Sequence, residues 1–141
     1  MNDIVPMLLS TLLGTLVGWE RQMGRKPAGL RTHTLVCLGS TMFVLMAPHA
    51  MKSFGMANFD PTRIIHGVVT GVGFLGAGSI MRTEGNVHGL TTAASVWMVA
   101  AIGVAVGVGA NALAIGGTVL ALVILEGYRW VERFLSPEGD N

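Results

Sequence analysis

Charge is scarce in this chain of 141 residues. Nine Lys and Arg and eight Asp and Glu make up 12% of it, against roughly a quarter in a typical soluble domain. Cysteine is almost absent: Cys37 stands alone, which excludes an intrachain disulfide and a multi-thiolate metal centre. The N-terminus, MNDIVP, has no basic stretch ahead of its apolar run. Nor does a small-residue cleavage site follow Ile4–Trp19, so that run is expected to be a retained span and not a cleaved leader. Acids are missing altogether between Glu84 and Glu126.

What fills the chain is apolar. Hydrophobic residues make up 51% of it, mean hydropathy is +0.60, and the charges cluster between long uncharged stretches: Ile4–Trp19, Thr34–Met51, Ile64–Met81 and Gly85–Leu125. A bilayer span needs roughly 20 apolar residues, so the expected class is an all-α integral membrane protein. The stretch from Leu90 to Leu125 would be roughly 54 Å long as one helix, too long for a hydrocarbon core of about 30 Å. It divides at Gly107-Val108-Gly109-Ala110-Asn111, where Asn111 can cap a new helix. Five spans follow, at about 4–19, 33–51, 62–81, 90–107 and 111–126, within a membrane domain of residues 1–128. A short tail, 129–141, carries Trp130, Val131, Phe134 and Leu135 on one helical face, which suits a separate interfacial helix stopped by Pro137.

Orientation follows from the basic residues. Arg21, Arg25, Lys26, Arg31, Arg82, Arg129 and Arg133 fall on one side; only Lys52 and Arg63 fall on the other. The expected topology is N-terminus out and C-terminus in, with Trp19, Tyr128 and Trp130 at the cytoplasmic interface.

Residues 71–76, GVGFLG, spell the G-x-G-x-x-G of a dinucleotide-binding turn. That motif needs a strand before it, a helix after it and an acid about 20 residues on; here the glycines sit within a span and no such acid exists. They read instead as packing surfaces that let helix backbones approach in lipid. Gly67, Gly71 and Gly78 form one such face, with Gly73 and Ala77 a second. Gly14 and Gly18 repeat the spacing in the first helix, and Gly103 and Gly107 in the fourth. Helix three, with small residues around most of its circumference, is expected at the centre of the bundle, and a homodimer is expected.

The polar residues lie at the two membrane faces. Asp60-Pro61 reads as N-cap and first helical residue, with an Asp60–Arg63 ion pair in reach and His66 the deepest titratable group of the span. On the basic side, the first loop brings Glu20, Arg21, Arg25, Lys26, Arg31, Thr32 and His33. The third brings Arg82, Glu84, Asn86, His88, Thr91 and Thr92, with His88 in the loop. Glu20 has Arg21, Arg31 and Arg82 as candidate partners. Ser40, Ser79 and Ser95 have no His–Asp arrangement in sequence reach, so no catalytic residues, cofactor or metal are expected.

The strings GWERQ and GLRTHTLVCLGS, DPTRIIHGVVTGVGFLGAGSIM, and EGNVHGLTTAASVWMVAAIGVAVGVG resemble, in order, the MgtC/SapB family of bacterial inner-membrane proteins. The resemblance runs from Gly18 to Gly109. It implies a five-span membrane domain and a role in adaptation to magnesium limitation, with virulence in the namesake's case. That role is exercised by association with other membrane proteins, including the ATP synthase, and not by established magnesium transport. The family's shared polar positions map onto Glu20, Arg21, Arg31, Thr32, His33, Asp60, Arg63, Arg82, Asn86, Thr91 and Thr92. At His88 the family commonly has arginine, and the soluble domain that usually follows has no room before Asn141. The expected function is therefore that of a non-enzymatic accessory membrane protein, with a small oligomeric ion or solute transporter as the alternative. Its partners are the bilayer, a second copy, and membrane proteins such as an ATPase. No nucleic acid is expected.

Overall fold

The computed structural model describes residues 3–55, 60, 62–83 and 86–135, with side chains through Val131. The expectations for Pro61, Glu84, Pro137 and the side chains of Arg133, Phe134 and Leu135 lie outside these residues. Five helices and a hairpin follow in order: α1 Ile4–Met23, α2 Leu30–Phe54, α3 Thr62–Gly78, β1 Met81–Thr83, β2 Asn86–His88, α4 Leu90–Gly107 and α5 Asn111–Leu135. Three of them, α2, α4 and α5 as far as Val131, are long and apolar enough to cross a membrane. This is an all-α membrane protein apart from the small hairpin.

The helix at the centre is α4, not α3 as its glycines suggest. α4 packs against α1, α2, α3 and α5. It buries Thr92, Ser95, Val96, Val99, Ala100, Ile102, Gly103, Ala105 and Val106, positions spread over more than half of its circumference, while Leu90, Ala94, Trp97 and Ala101 form an exposed strip on the remaining side. α3 buries only the stripe Val68, Val72 and Gly76, docking chiefly on α4 and more lightly on α2.

Glycine spacing therefore works at two contacts and fails at a third. A Cβ on Gly14 would stand 2.7 Å from the Cys37 Cβ, and one on Gly18 would stand 2.8 Å from the Leu30 Cα, so α1 and α2 meet nearly backbone to backbone. Between α2 and α4, a Cβ on Gly103 would collide with the Cys37 carbonyl, and one on Gly107 would lie 2.7 Å from the Val44 Cβ. At Gly67, Gly71, Gly73 and Gly78 a Cβ would meet nothing within 4 Å. Within this chain those four are not packing contacts, because α3 turns its buried stripe, and not its glycine face, to the bundle. Gly67 and Gly71 instead line an apolar cleft of about 630 Å³ between α2 and α3, with Gly39, Phe43 and Leu75.

The ends of the elements follow local chemistry. α4 stops in a Schellman motif: Gly109 takes φ +81°, Ala110 N–H donates to the Ala105 carbonyl and Gly109 N–H to that of Val106, satisfying carbonyls the helix leaves open. α5 then begins with Asn111 already inside it, and Ala114 N–H bonds back to Ala110, so Ala110 holds the position assigned to Asn111. α5 runs unbroken to Leu135. The tail is not a separate interfacial helix up to that point, because no proline separates it from the span and Arg129 pairs with Glu126 one turn earlier at 2.7 Å. The third loop contains a structure the sequence reading lacked: β1 and β2 pair antiparallel, Met81 with His88 and Thr83 with Asn86, which places His88 in a strand.

Candidate functional site

Antiparallel packing gathers the C-terminal ends of α1 and α5 and the N-terminal ends of α2 and α4 at one end of the bundle. There two polar groups lie side by side, one joining α1 to α5 and the other joining α2 to α4. Glu20 and Arg21, adjacent on the last turns of α1, form a bidentate pair: Arg21 Nε donates to Oε2 at 2.5 Å and Nη2 to Oε1 at 2.9 Å. Arg21 is only 2% exposed. Arg129 of α5 reaches the same carboxylate, its Nη1 lying 3.7 Å from Glu20 Oε1. The Glu20 side chain thus meets two guanidinium groups, and the third nitrogen of Arg21, Nη1, is buried with no hydrogen-bond partner among the described residues. A buried ion pair with one donor unsatisfied contributes little net stability, yet breaking it is costly because one charge is left stranded.

Beside it, His33 is fully buried at the start of α2. Its Nδ1 lies 2.8 Å from the Gly29 carbonyl, which can only accept, so Nδ1 carries the hydrogen. Nε2 lies 2.9 Å from Ser95 Oγ on α4. The Ser95 hydroxyl also stands 2.8 Å from the Thr92 carbonyl, and its single hydrogen serves one of these two acceptors at a time. Deeper in the bundle, Thr15 and Thr34 meet at 3.1 Å, and Thr41 Oγ1 donates to the Gly103 carbonyl at 2.7 Å.

Of the sequence-derived positions, this end unites Glu20, Arg21, His33 and Thr92 in the interior. Arg31, Thr32, Arg82, Asn86 and Thr91 lie at the same end but are exposed, and neither Arg31 nor Arg82 pairs with Glu20 among the described residues. They form a surface around the cluster, rimmed by Trp19, Tyr128 and Trp130, each more than 60% exposed. Two members escaped sequence reasoning. Ser95 was set aside for want of a nearby histidine, whereas its partner is 62 positions away. Arg129 counted only toward topology; its position on a helix continuous with the span was the missing signal.

Asp60, Arg63 and His66 lie at the other end, apart from the cluster. Asp60 Oδ1 accepts from Thr62 Oγ1 at 2.7 Å and from Thr62 N–H at 2.9 Å, the arrangement of an N-cap. These bonds, the hydroxyl first, hold its carboxyl below the usual aspartate range. The expected Asp60–Arg63 ion pair is not formed among the described residues, because the carboxylate is turned onto the helix N-terminus; Arg63 and His66 are exposed. No three His, Cys, Asp or Glu side chains converge among the described residues.

Comparison with known proteins identifies the chain's relatives. The family description "MgtC family" matches residues 7–134. The protein named "Putative magnesium transporter YhiD" from Escherichia coli K12 is 44% identical over 126 residues, covering 87% of this chain and 59% of that protein. Protein SrpB of Synechococcus elongatus is 40% identical over 136 residues, covering 90% and 75%. Protein MgtC of Salmonella typhimurium is 44% identical over 119 residues, covering 84% and 49%. The chain thus spans about half to three-quarters of the length of these relatives. No solved structure matches it. With a family match from Met7 into the last turn of α5, and relatives from three genera across most of its length, the chain belongs to the MgtC family.

Proposed function

We propose that this chain is a non-enzymatic, multi-pass protein of the bacterial inner membrane that supports adaptation to magnesium limitation by associating with other membrane proteins. In a pathogen the same role would contribute to virulence. The N-terminus faces out and the basic loops face the cytoplasm, as the distribution of Lys and Arg favours. The observation that carries this reading is the Glu20–Arg21–Arg129 cluster with His33–Ser95 beside it. It joins α1 to α5 and α2 to α4 at this end, and so supports Arg31, Thr32, Arg82, Asn86 and Thr91 as a polar surface for a partner such as an ATPase. The open glycine face of α3, Gly67, Gly71 and Gly78, suits a second copy, since small residues let helices approach in lipid.

A second reading, a small oligomeric ion transporter, takes its support from the name of the YhiD relative. Two assays on the intact chain separate the readings: complementation of growth at low magnesium, and Mg²⁺ uptake into liposomes holding only the purified protein. Growth rescue without uptake supports the accessory role, and uptake above empty liposomes overturns it. Orientation is tested by labelling a cysteine at position 26 in a Cys37→Ser background. Labelling only from outside the cell refutes the N-out assignment.

A further inference from the structure

At the end of the bundle away from the basic loops, α1 begins where α2 is finishing. Between them lies a small cleft of about 190 Å³, lined by Asp3, Met7, Met42, Leu45, Met46 and His49. We propose that this cleft binds a soft monovalent cation, Cu(I), with Ag(I) as its redox-inert equivalent.

The donor set is specific in kind. Met42, Met46 and His49 stand at i, i+4 and i+7 of α2, the spacing that keeps side chains on one face of a helix, and Met7 faces them from α1. Three thioether sulfurs and an imidazole are poor ligands for Mg²⁺ or Ca²⁺, which take oxygen. Thioether ligands select Cu(I). Methionine's flexible side chain also lets the sulfurs converge without moving the backbone. Met42 is 41% and Met46 50% exposed, so neither side chain is sealed off by packing within the chain.

The histidine supplies a second, independent observation. His49 Nε2 lies 2.9 Å from Asp3 Oδ2, so Nε2 carries the hydrogen that the carboxylate accepts, and the Nδ1 lone pair is left for a metal. Metal-binding histidines almost always donate their other N–H to a carboxylate, a carbonyl or water in this way. Asp3 also brings a negative charge to a site for a single positive one. Methionines that merely filled space or faced lipid would need neither the histidine nor its carboxylate. This site is independent of the magnesium reading: its ion and its end of the bundle differ from those of the polar cluster, and either proposal can fail alone.

The test is Ag(I) titration of the intact purified chain in detergent, followed by calorimetry, with Cu(I) then added anaerobically for X-ray absorption. The expected result is one ion per chain, undisturbed by millimolar Mg²⁺, with sulfur and nitrogen in the copper shell. Met42→Leu/Met46→Leu should abolish binding while helix content and elution stay as in the wild type, since Met-to-Leu exchange conserves volume. Asp3→Asn, acting through His49, should weaken binding by roughly 10-fold or more. Met23→Leu, at the far end of α1, should leave binding unchanged. Wild-type chain that takes up no ion, binding retained in the double variant, or binding lost in Cys37→Ser would each overturn the proposal.

Discussion

Replacing Gly103 by alanine adds one methyl group, and the structure says where it must go. The new Cβ would run into the Cys37 carbonyl and lie 2.9 Å from the Ser40 Cβ. The first obstacle is backbone, which cannot rotate aside, so α4 must back away from α2. Overpacking of this kind costs about 1–3 kcal/mol, and rigid backbone on the facing helix puts Gly103 at the upper end. Moving α4 also stretches the 2.7 Å bond from Thr41 Oγ1 to the Gly103 carbonyl, worth about 1 kcal/mol. Against this, alanine gains roughly 1 kcal/mol of helix propensity over glycine. The net expectation is a loss of about 3 kcal/mol. Gly71→Ala is the matched control within a single chain: the same propensity gain applies, and nothing in the chain lies within 4 Å of the new Cβ, so the stability of the monomeric chain should hold or rise. Thermal unfolding in mild detergent, followed by circular dichroism and by the monodisperse fraction surviving a heat step, compares the two. Equal melting temperatures for Gly103→Ala and Gly71→Ala would refute the assignment of α4 to the centre and of α3 to the edge.

The polar groups give two further predictions. Glu20→Gln strands the Arg21 charge, 2% exposed, and should destabilise the chain by about 3–5 kcal/mol. Arg129→Gln removes a half-buried partner that lies 3.7 Å from Glu20 and 2.7 Å from exposed Glu126, and should cost about 1 kcal/mol or less; similar melting shifts for the two would refute the ranking. At Asp60 the folded-state pKa lies below the ordinary one. Its stabilisation is therefore present above the usual carboxylate range and lost as pH falls through the depressed value. Asp60→Asn should leave neutral-pH stability nearly unchanged, because Asn caps about as well as Asp, while removing this acid-range loss. An unaltered pH profile would show that the carboxylate does not act as the cap.

Much was legible without coordinates because the bilayer constrains the chain so strongly. Uncharged stretches long enough to span must become helices, since lipid offers backbone N–H and C=O groups no other partner; the boundaries of α4, at Leu90 and Gly107, were read directly from the sequence. The cap at Asp60 and the turn at Gly109 were likewise local, decided by residues within a few positions of each other. The Glu20–Arg21 pair was among the candidates for the same reason.

What sequence could not decide was which face of each helix meets which neighbour. Gly67–Gly71 and Gly103–Gly107 have the same spacing, yet one pair opens onto a cleft and the other presses on Cys37 and Val44. The difference depends on the rotation of α3 about its axis, which no local residue sets. His33 and Ser95, or Met7 and Met42, are equally remote in the chain, and only packing α1, α2 and α4 side by side brings them within reach. Sequence by itself determined the helices, where most of them begin and the clustering of charge, because those arise from hydrophobicity and hydrogen bonding over a few residues. Tertiary structure alone decided the centre of the bundle, the partners of the buried charges and the meeting of the methionines, because side-chain contact depends on how whole helices are rotated and stacked.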